Sequence, residues 1–437
     1  MRNTLIFALI LALLFGCATA AADTDAQWKA QQTAGQGYYV EGLTQDEIDA
    51  LTQTTIIKDP DSITGYTVTF RHYAPQADRV RIRGEWSLYQ TVRNSLFLSG
   101  SYDPQQWENG MFPLQANMSD WPAYDMAKNE ETGVWYYTIP LPCGTWSYRF
   151  YEGGVEGAEL TDYTDAVATT DINNRPWEKE LGEQGNSQVR VPFDSEKQTV
   201  DFSVQLPRTD GMVGTTEILT YTADGVAEKK DDPALAVYLP YGYDAQREQP
   251  YKTLYISHGG GLESETSWYN KGSLANITDN LMAQGVVEPM VVVIINNYAV
   301  NFDVDSFMAD VLPLVENNYN VSSNVEDRAV CGLSRGGMFT TDIMMTYPEA
   351  FGVYGVFSGA GFTDTPQDEI VYPEAVGQAA VYTAVGYFDQ AFVDVNKVMT
   401  ALDAQGFEYD SFYTYGGHDW NTWRQIYVDF LTNFLWK

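Results

Sequence analysis

Three cysteines and three histidines among 437 residues leave little room for two large classes of chemistry. Cys17, Cys143 and Cys331 show no Cys/His spacing of the kind that holds zinc, and three histidines are too few for a histidine-rich metal site. No metal and no cofactor is expected. A disulfide is not expected either, because Cys17 sits in an N-terminal leader while Cys143 and Cys331 fall in separate predicted domains. Positive charge is scarce too: 25 Lys and Arg against 59 Asp and Glu give a formal net charge of −34. That balance excludes nucleic acid or an anionic membrane surface as partner and predicts a solvated acidic exterior. Low-complexity blocks and helical repeats are absent. The apolar run from Leu5 to Phe15, after Met1-Arg2-Asn3 and before the small residues Ala18–Ala22, is too short for a membrane span. It reads as a secretory signal over residues 1–22. Leu14-Phe15-Gly16-Cys17 also resembles a bacterial lipoprotein box with Cys17 lipidated. Soluble secretion and a cell-surface lipid anchor therefore both stay open; in either case the mature chain is exported.

Hydrophobic residues make up 44% of the chain and aromatics 14%, enough for the two cores that its length implies. A polar segment, 23–60, follows the leader. From 61 to 195, short runs with period two, such as Tyr66–Arg71, Arg79–Arg83, Gly133–Ile139 and Gly144–Phe150, predict an all-β sandwich. From 196 to 437 the pattern changes. Apolar runs at Leu235–Leu239, Thr253–Ser257, Met290–Asn296, Ala329–Gly332, Tyr354–Ser358, Ala380–Val385 and Glu408–Thr414 alternate with helical stretches such as Ser273–Ala283 and Ser306–Asn318. This alternation predicts an α/β fold with a largely parallel sheet flanked by helices.

The chemistry is carried by Gly332-Leu333-Ser334-Arg335-Gly336, which follows the apolar run Ala329–Cys331 and precedes a helical stretch from Gly337 to Thr346. A G-x-S-x-G sequence between strand and helix is a nucleophile elbow: it lifts a weakly nucleophilic hydroxyl onto a strained turn where a base can reach it. In this fold the partners follow the serine in the order acid, then histidine, and His418 is the only histidine C-terminal to Ser334. Order excludes His72 and His258 as the base. Asp389 ends the strand-like Ala380–Val385 through Gly386-Tyr387-Phe388, at a strand terminus where such carboxylates collect. Asp394 is the rival, with a first-turn place in a predicted helix Phe392–Ala404 as its alternative role; Asp419 is too near His418 in sequence. Thr253–Ser257 runs into His258-Gly259-Gly260-Gly261, a turn that brings backbone N–H groups close to a developing oxyanion. The amides of Gly260 and Arg335 are the candidate donors, and His258 is expected to hold the loop. Cys331 reads as a small core residue rather than a second nucleophile.

From about residue 235 to the end, the chain resembles the esterase branch of the α/β-hydrolases that includes feruloyl and acetylxylan esterases of carbohydrate esterase family one, esterase D and enterochelin esterases. The residues that carry the resemblance are Val237–Pro240 with Gly242-Tyr243, Leu254–Gly261, Arg328–Gly337, and Gly417–Trp420 with Trp423. Arg335 departs from the methionine often found there. Residues 64–177 resemble, less specifically, the isoamylase-type early-set sandwich related to glycogen-binding modules, through Val68–Arg71, Ala74–Ala77, Val80–Trp86, Gly133–Trp135 and Tyr148–Phe150.

Together the resemblances imply an exported serine esterase that removes feruloyl or acetyl groups from esterified plant polysaccharide. Ser334, Asp389 and His418 would form the triad. Trp268, Trp420 and Trp423 are candidates for an acyl pocket, with packing as their alternative role. Trp86, Trp107 and Trp121 could stack on sugar, although a core or interdomain place suits such large side chains better. A siderophore esterase, a catalytically dead glycan-binding protein and a water-excluding acyltransferase are the competing readings.

Overall fold

The computed structural model describes residues 38–39, 53–92, 96–114, 121–155, 157–171, 185–222, 233–261 and 263–437. The predicted leader with Cys17, and most of the polar segment 23–60, lie outside the described residues. Among the described residues no helix is long and apolar enough to cross a membrane.

Two sheets in the first half share one apolar core. Strands Thr55–Lys58, Tyr66–Tyr73, Val134–Pro140 and Ala127–Lys128 build one, and Ala166–Thr169, Gly144–Gly153, Val80–Gly84 and Ala123–Asp125 build the other. The period of two in Tyr66–Tyr73 and Val80–Gly84 sends Val68 and Phe70 from one sheet, and Val80 and Ile82 from the other, into a cluster with Trp86, Trp146, Tyr148 and Phe150. Ser187–Val191 still pairs with Gly144–Tyr148, so the hydrogen bonds of this β-rich part reach residue 191. A smaller sheet of Leu98–Tyr102, Leu88–Thr91 and Phe112–Pro113, which the sequence pattern did not announce, projects from it toward the second half.

The second half is an eight-stranded sheet in the order Thr215–Thr220, Ala234–Leu239, Met290–Ile295, Lys252–Ser257, Arg328–Leu333, Val353–Phe357, Ala380–Gly386, Asp410–Thr414. The first two pairings are antiparallel and the other five parallel. Every residue of Met290–Ile295 is buried, because each face is covered. Val291, Val293 and Ile295 pack with the helices that carry Phe307, Phe339, Ile343 and Val398. Met290, Val292 and Ile294 pack on the other face with Leu274, Ile277, Ile426 and Tyr427. The expected strands are all present. The sheet has one strand more than foreseen, Thr215–Thr220, whose alternation is only partly buried.

Buried polar contacts join the two halves. Arg424, on the helix Trp420–Asp429, donates to the Thr145 carbonyl at 2.9 Å and lies 3.4 Å from Glu85, both in the β-rich part. Asn276 and Asn280 donate to the carbonyls of Gln205, Val204 and Leu206 in the connecting segment. Trp86 and Trp121 are buried and Trp107 half-buried.

Candidate active site

The strand Arg328–Leu333 ends at Ser334, which has φ +52° and ψ −116°, and the helix Arg335–Thr346 begins at the next residue, two positions earlier than the sequence pattern placed it. Such a conformation in a non-glycine residue costs about 1–3 kcal/mol and persists only where its surroundings enforce it. They do so here by close approach. A Cβ on Gly332 would fall 2.5 Å from the Gly336 carbonyl oxygen, and one on Gly336 would fall 2.6 Å from the His258 carbonyl oxygen. The Ser334 N–H is fixed by donation to the Phe357 carbonyl at 2.9 Å.

His418 Nε2 lies 2.8 Å from Ser334 Oγ, and His418 Nδ1 lies 2.8 Å from Asp389 Oδ1. The three side chains that the sequence singled out therefore meet in one hydrogen-bonded relay. The Asp389 carboxylate is buried; its Oδ1 also accepts the Ala391 N–H at 2.8 Å, while its Oδ2 has no hydrogen-bond partner among the described residues. Asp394 is elsewhere. Its Oδ2 accepts the Ala360 and Gly361 N–H groups at 2.7 and 3.0 Å, and its Oδ1 accepts that of Phe362 at 2.7 Å, which ties the segment after the strand Val353–Phe357 to the helix Phe392–Gln405. Asp419 caps the last long helix by accepting the Thr422 N–H at 2.9 Å.

Gly259 lies directly beside the elbow, since a Cβ there would meet Ser334 Cβ at 3.3 Å. Gly260 follows Gly259 in that loop and Arg335 follows the serine, and the N–H of neither donates a hydrogen bond among the described residues. His258 is fully buried. Its Nε2 accepts the Asn297 N–H at 3.1 Å and its Nδ1 donates to the Gly259 carbonyl at 2.8 Å; burial pushes its pKa down, which keeps the ring neutral. It braces the loop as expected. The exposed Arg335 guanidinium rests 4.1 Å above the Phe302 ring, in a segment where Asn301 and Phe302 both have positive φ. Nothing in the sequence marked Phe302.

Of the two roles open to the three tryptophans, their burial fits packing. Trp268 has no exposed surface, donates its Nε1–H to the Ser257 carbonyl at 2.9 Å and meets Trp420 edge to face, so it belongs to the core below the site. Trp420 is nearly buried between Trp268 and Trp423. Trp423 presents its ring at 84° to the His418 imidazole with centroids 5.1 Å apart, where it backs the base. Cys331 is wholly buried, and burial pushes its thiol well up, which disqualifies it as a nucleophile. Cys143 and Cys331 are both free. Among the described residues no group of three or more His, Cys, Asp or Glu could hold a metal ion.

Residues 227–432 match the Esterase family model, described as "Putative esterase". The "Endo-1,4-beta-xylanase/feruloyl esterase" of Xylanibacter ruminicola is 28% identical over 314 residues, which is 68% of this chain and 39% of that protein. "Endo-1,4-beta-xylanase Y" of Acetivibrio thermocellus is 32% identical over 152 residues, 31% of this chain and 14% of that protein. The chain thus spans well under half the length of either relative. A crystal structure of the enterobactin esterase of Shigella flexneri superposes with a TM-score of 0.54 at 15% identity, covering 90% of this chain and 98% of that one, a likeness of fold alone. Ser334, Asp389, His418, Gly260 and Arg335 all fall inside the segment that is similar to the Esterase family model.

Proposed function

We propose that the protein is an exported serine esterase that releases feruloyl or acetyl groups from plant polysaccharide of the xylan type. The observation that carries the reading is the Ser334–His418–Asp389 relay, with both links at 2.8 Å. In the first half-reaction Ser334 Oγ attacks the ester carbonyl and its proton passes to His418 Nε2. Asp389 keeps the proton on Nδ1 and offsets the charge that the ring acquires. The carbonyl oxygen becomes an oxyanion between the unpaired N–H groups of Gly260 and Arg335, each such donor contributing about 3–4 kcal/mol in comparable sites. Collapse expels the sugar hydroxyl, which takes the proton from Nε2. Water repeats the cycle on the acyl-serine and regenerates the hydroxyl.

Similarity to an endo-1,4-beta-xylanase/feruloyl esterase and to a second endo-1,4-beta-xylanase favours a xylan ester as substrate. The predicted signal over residues 1–22 favours export to where polymers are, whether the product is soluble or anchored at Cys17. The likeness of the β-rich part to early-set, glycogen-binding-type sandwiches favours contact with sugar. The test is incubation of the purified protein with feruloylated and acetylated xylan side by side, followed by analysis of the released acids. Release of either acid by the wild-type protein, and by no Ser334→Ala protein, is the expected outcome. Failure to release either, with efficient cleavage of a catecholate siderophore ester, would replace the polysaccharide reading.

A further inference from the structure

Resting on the hydrolase reading above, we propose that Phe112 and Leu114 of the β-rich part are positioning residues for the acid and the base, so that the first half of the chain completes the active site. Asp389 and His418 sit on two loops, one after the strand Ala380–Gly386 and one after Asp410–Thr414. The loops are tied to each other: the Phe388 N–H donates to the Gly416 carbonyl at 3.0 Å, and the Tyr387 N–H to the Thr414 carbonyl at 2.9 Å. These bonds hold acid and base together as a pair. They do not fix the pair against the nucleophile, which stands on a different strand.

The Phe112 ring spans both loops from outside. It stacks on Phe388, the neighbour of Asp389, with centroids 5.7 Å apart and planes 11° from parallel. It also stacks on Tyr415, three residues before His418, at 5.5 Å and 29°. Phe112 itself is 8% exposed, so the contact is a seated one. Leu114 then closes on the backbone beside the base: a Cβ on Gly417 would fall 2.6 Å from Leu114 Cδ1. Consecutive glycines at 416 and 417 give the base loop backbone freedom. On the far side of His418, Arg424 is anchored to the Thr145 carbonyl of the same β-rich part. His418 is therefore held before and after by residues from outside the α/β sheet.

A displacement of about 1 Å in a reacting group can cost on the order of a hundredfold in rate. In the full-length chain, Phe112→Ala should lower kcat on p-nitrophenyl acetate by about ten- to a hundredfold, with KM changed less than about twofold, because that small ester is positioned by the elbow and not by the sandwich. Phe112→Tyr, which keeps the flat ring, should recover most of the loss. Leu114→Ala, a smaller deletion, should act in the same direction and serves where Phe112→Ala fails to fold by circular dichroism. A folded Phe112→Ala protein with wild-type kcat overturns the proposal, and so does a rise in KM at constant kcat, which would make Phe112 a substrate contact. Ser334→Ala measured in parallel separates the two layers. If wild-type turnover is absent or survives Ser334→Ala, the hydrolase reading fails; if turnover requires Ser334 but ignores Phe112, only the positioning role fails.

Discussion

Asp389→Asn removes a charge while leaving the shape of the site intact, which allows its cost to be worked from the contacts. Oδ1 accepts two N–H groups, from His418 and from Ala391, each at 2.8 Å, whereas Oδ2 is buried without a partner. An asparagine can keep its oxygen at the Oδ1 place and put its amide nitrogen where Oδ2 was. The imidazole then keeps the right tautomer, and the loss is that of a charge-assisted hydrogen bond to the ring as it becomes positive, roughly 2–3 kcal/mol or a factor near a hundred. If the amide turns over to escape the unpaired nitrogen, the ring is held in the wrong tautomer and the loss approaches about ten-thousandfold, near 5.5 kcal/mol. The expected fall in kcat is thus about two to four orders of magnitude, with KM little changed. Asp394→Asn is the control. It deprives one or two of the three N–H groups at 360–362 of an acceptor, so it should lower the melting temperature, at about 1–3 kcal/mol, and kcat by less than about tenfold. Turnover of p-nitrophenyl acetate and thermal melts on the two variants decide the matter. If Asp394→Asn loses more activity than Asp389→Asn in folded protein, the acid has been misassigned.

Ser334→Ala should lower turnover by about four to six orders of magnitude without lowering the melting temperature, since it removes the nucleophile and opens no large cavity; retention of a tenth of the wild-type rate in folded protein would refute the role. Gly336→Ala would put a Cβ 2.6 Å from the His258 carbonyl oxygen and 2.8 Å from that of Ser257, so it should destabilise by about 1–3 kcal/mol and depress activity, read by melting and turnover together. Arg424→Met should cost about 3–5 kcal/mol at neutral pH, because it strands the buried Glu85 carboxylate. Burial already pushes the Glu85 pKa up against the opposing pull of Arg424, so in the variant that carboxyl takes a proton more readily folded than unfolded. The loss in melting temperature should therefore shrink as pH falls through the raised folded value toward the ordinary 4.5, and a pH-independent deficit would exclude Glu85 as its cause.

Much of the fold was written in local pattern. Runs such as Met290–Ile295 and Ala329–Gly332 could be read as buried strands because a parallel sheet with helices on both faces leaves such central positions no polar side to face. Thr215–Thr220 escaped notice because an edge strand buries only part of its alternation. Ser334, Asp389 and His418 were legible through order and turn chemistry, which depend on neighbours in sequence. The tryptophans stayed open between pocket and packing for the opposite reason. Proximity to a functional loop in sequence does not say on which side of the backbone an indole lies, and the indole of Trp268 is spent on the carbonyl of Ser257. Phe112 and Phe302 carried no signal at all, since their roles arise from contacts across nearly three hundred and about thirty residues respectively.

The spacing of the sheet explains why such distant contacts gather at this place. The serine strand Arg328–Leu333 and the strand before His418, Asp410–Thr414, are three steps apart in sheet order, with Val353–Phe357 and Ala380–Gly386 between them. At about 4.8 Å per step their axes stand roughly 14 Å apart, and the strand that precedes Asp389 stands roughly 10 Å from that of the serine. His418 Nε2 nonetheless lies 2.8 Å from Ser334 Oγ. The loop Tyr415–Asp419 must therefore fold back across the ends of two intervening strands, and this return is what Gly416 and Gly417 permit. A Cβ on Gly386 would come 2.8 Å from the Gly416 carbonyl carbon, so the acid strand and the returning loop are in direct backbone contact. A loop that reaches so far with two glycines in it gains reach at the expense of stiffness. The stiffness has to come from whatever packs on its outer side, and in this molecule that is Trp423 behind the imidazole and Phe112 and Leu114 from the β-rich part.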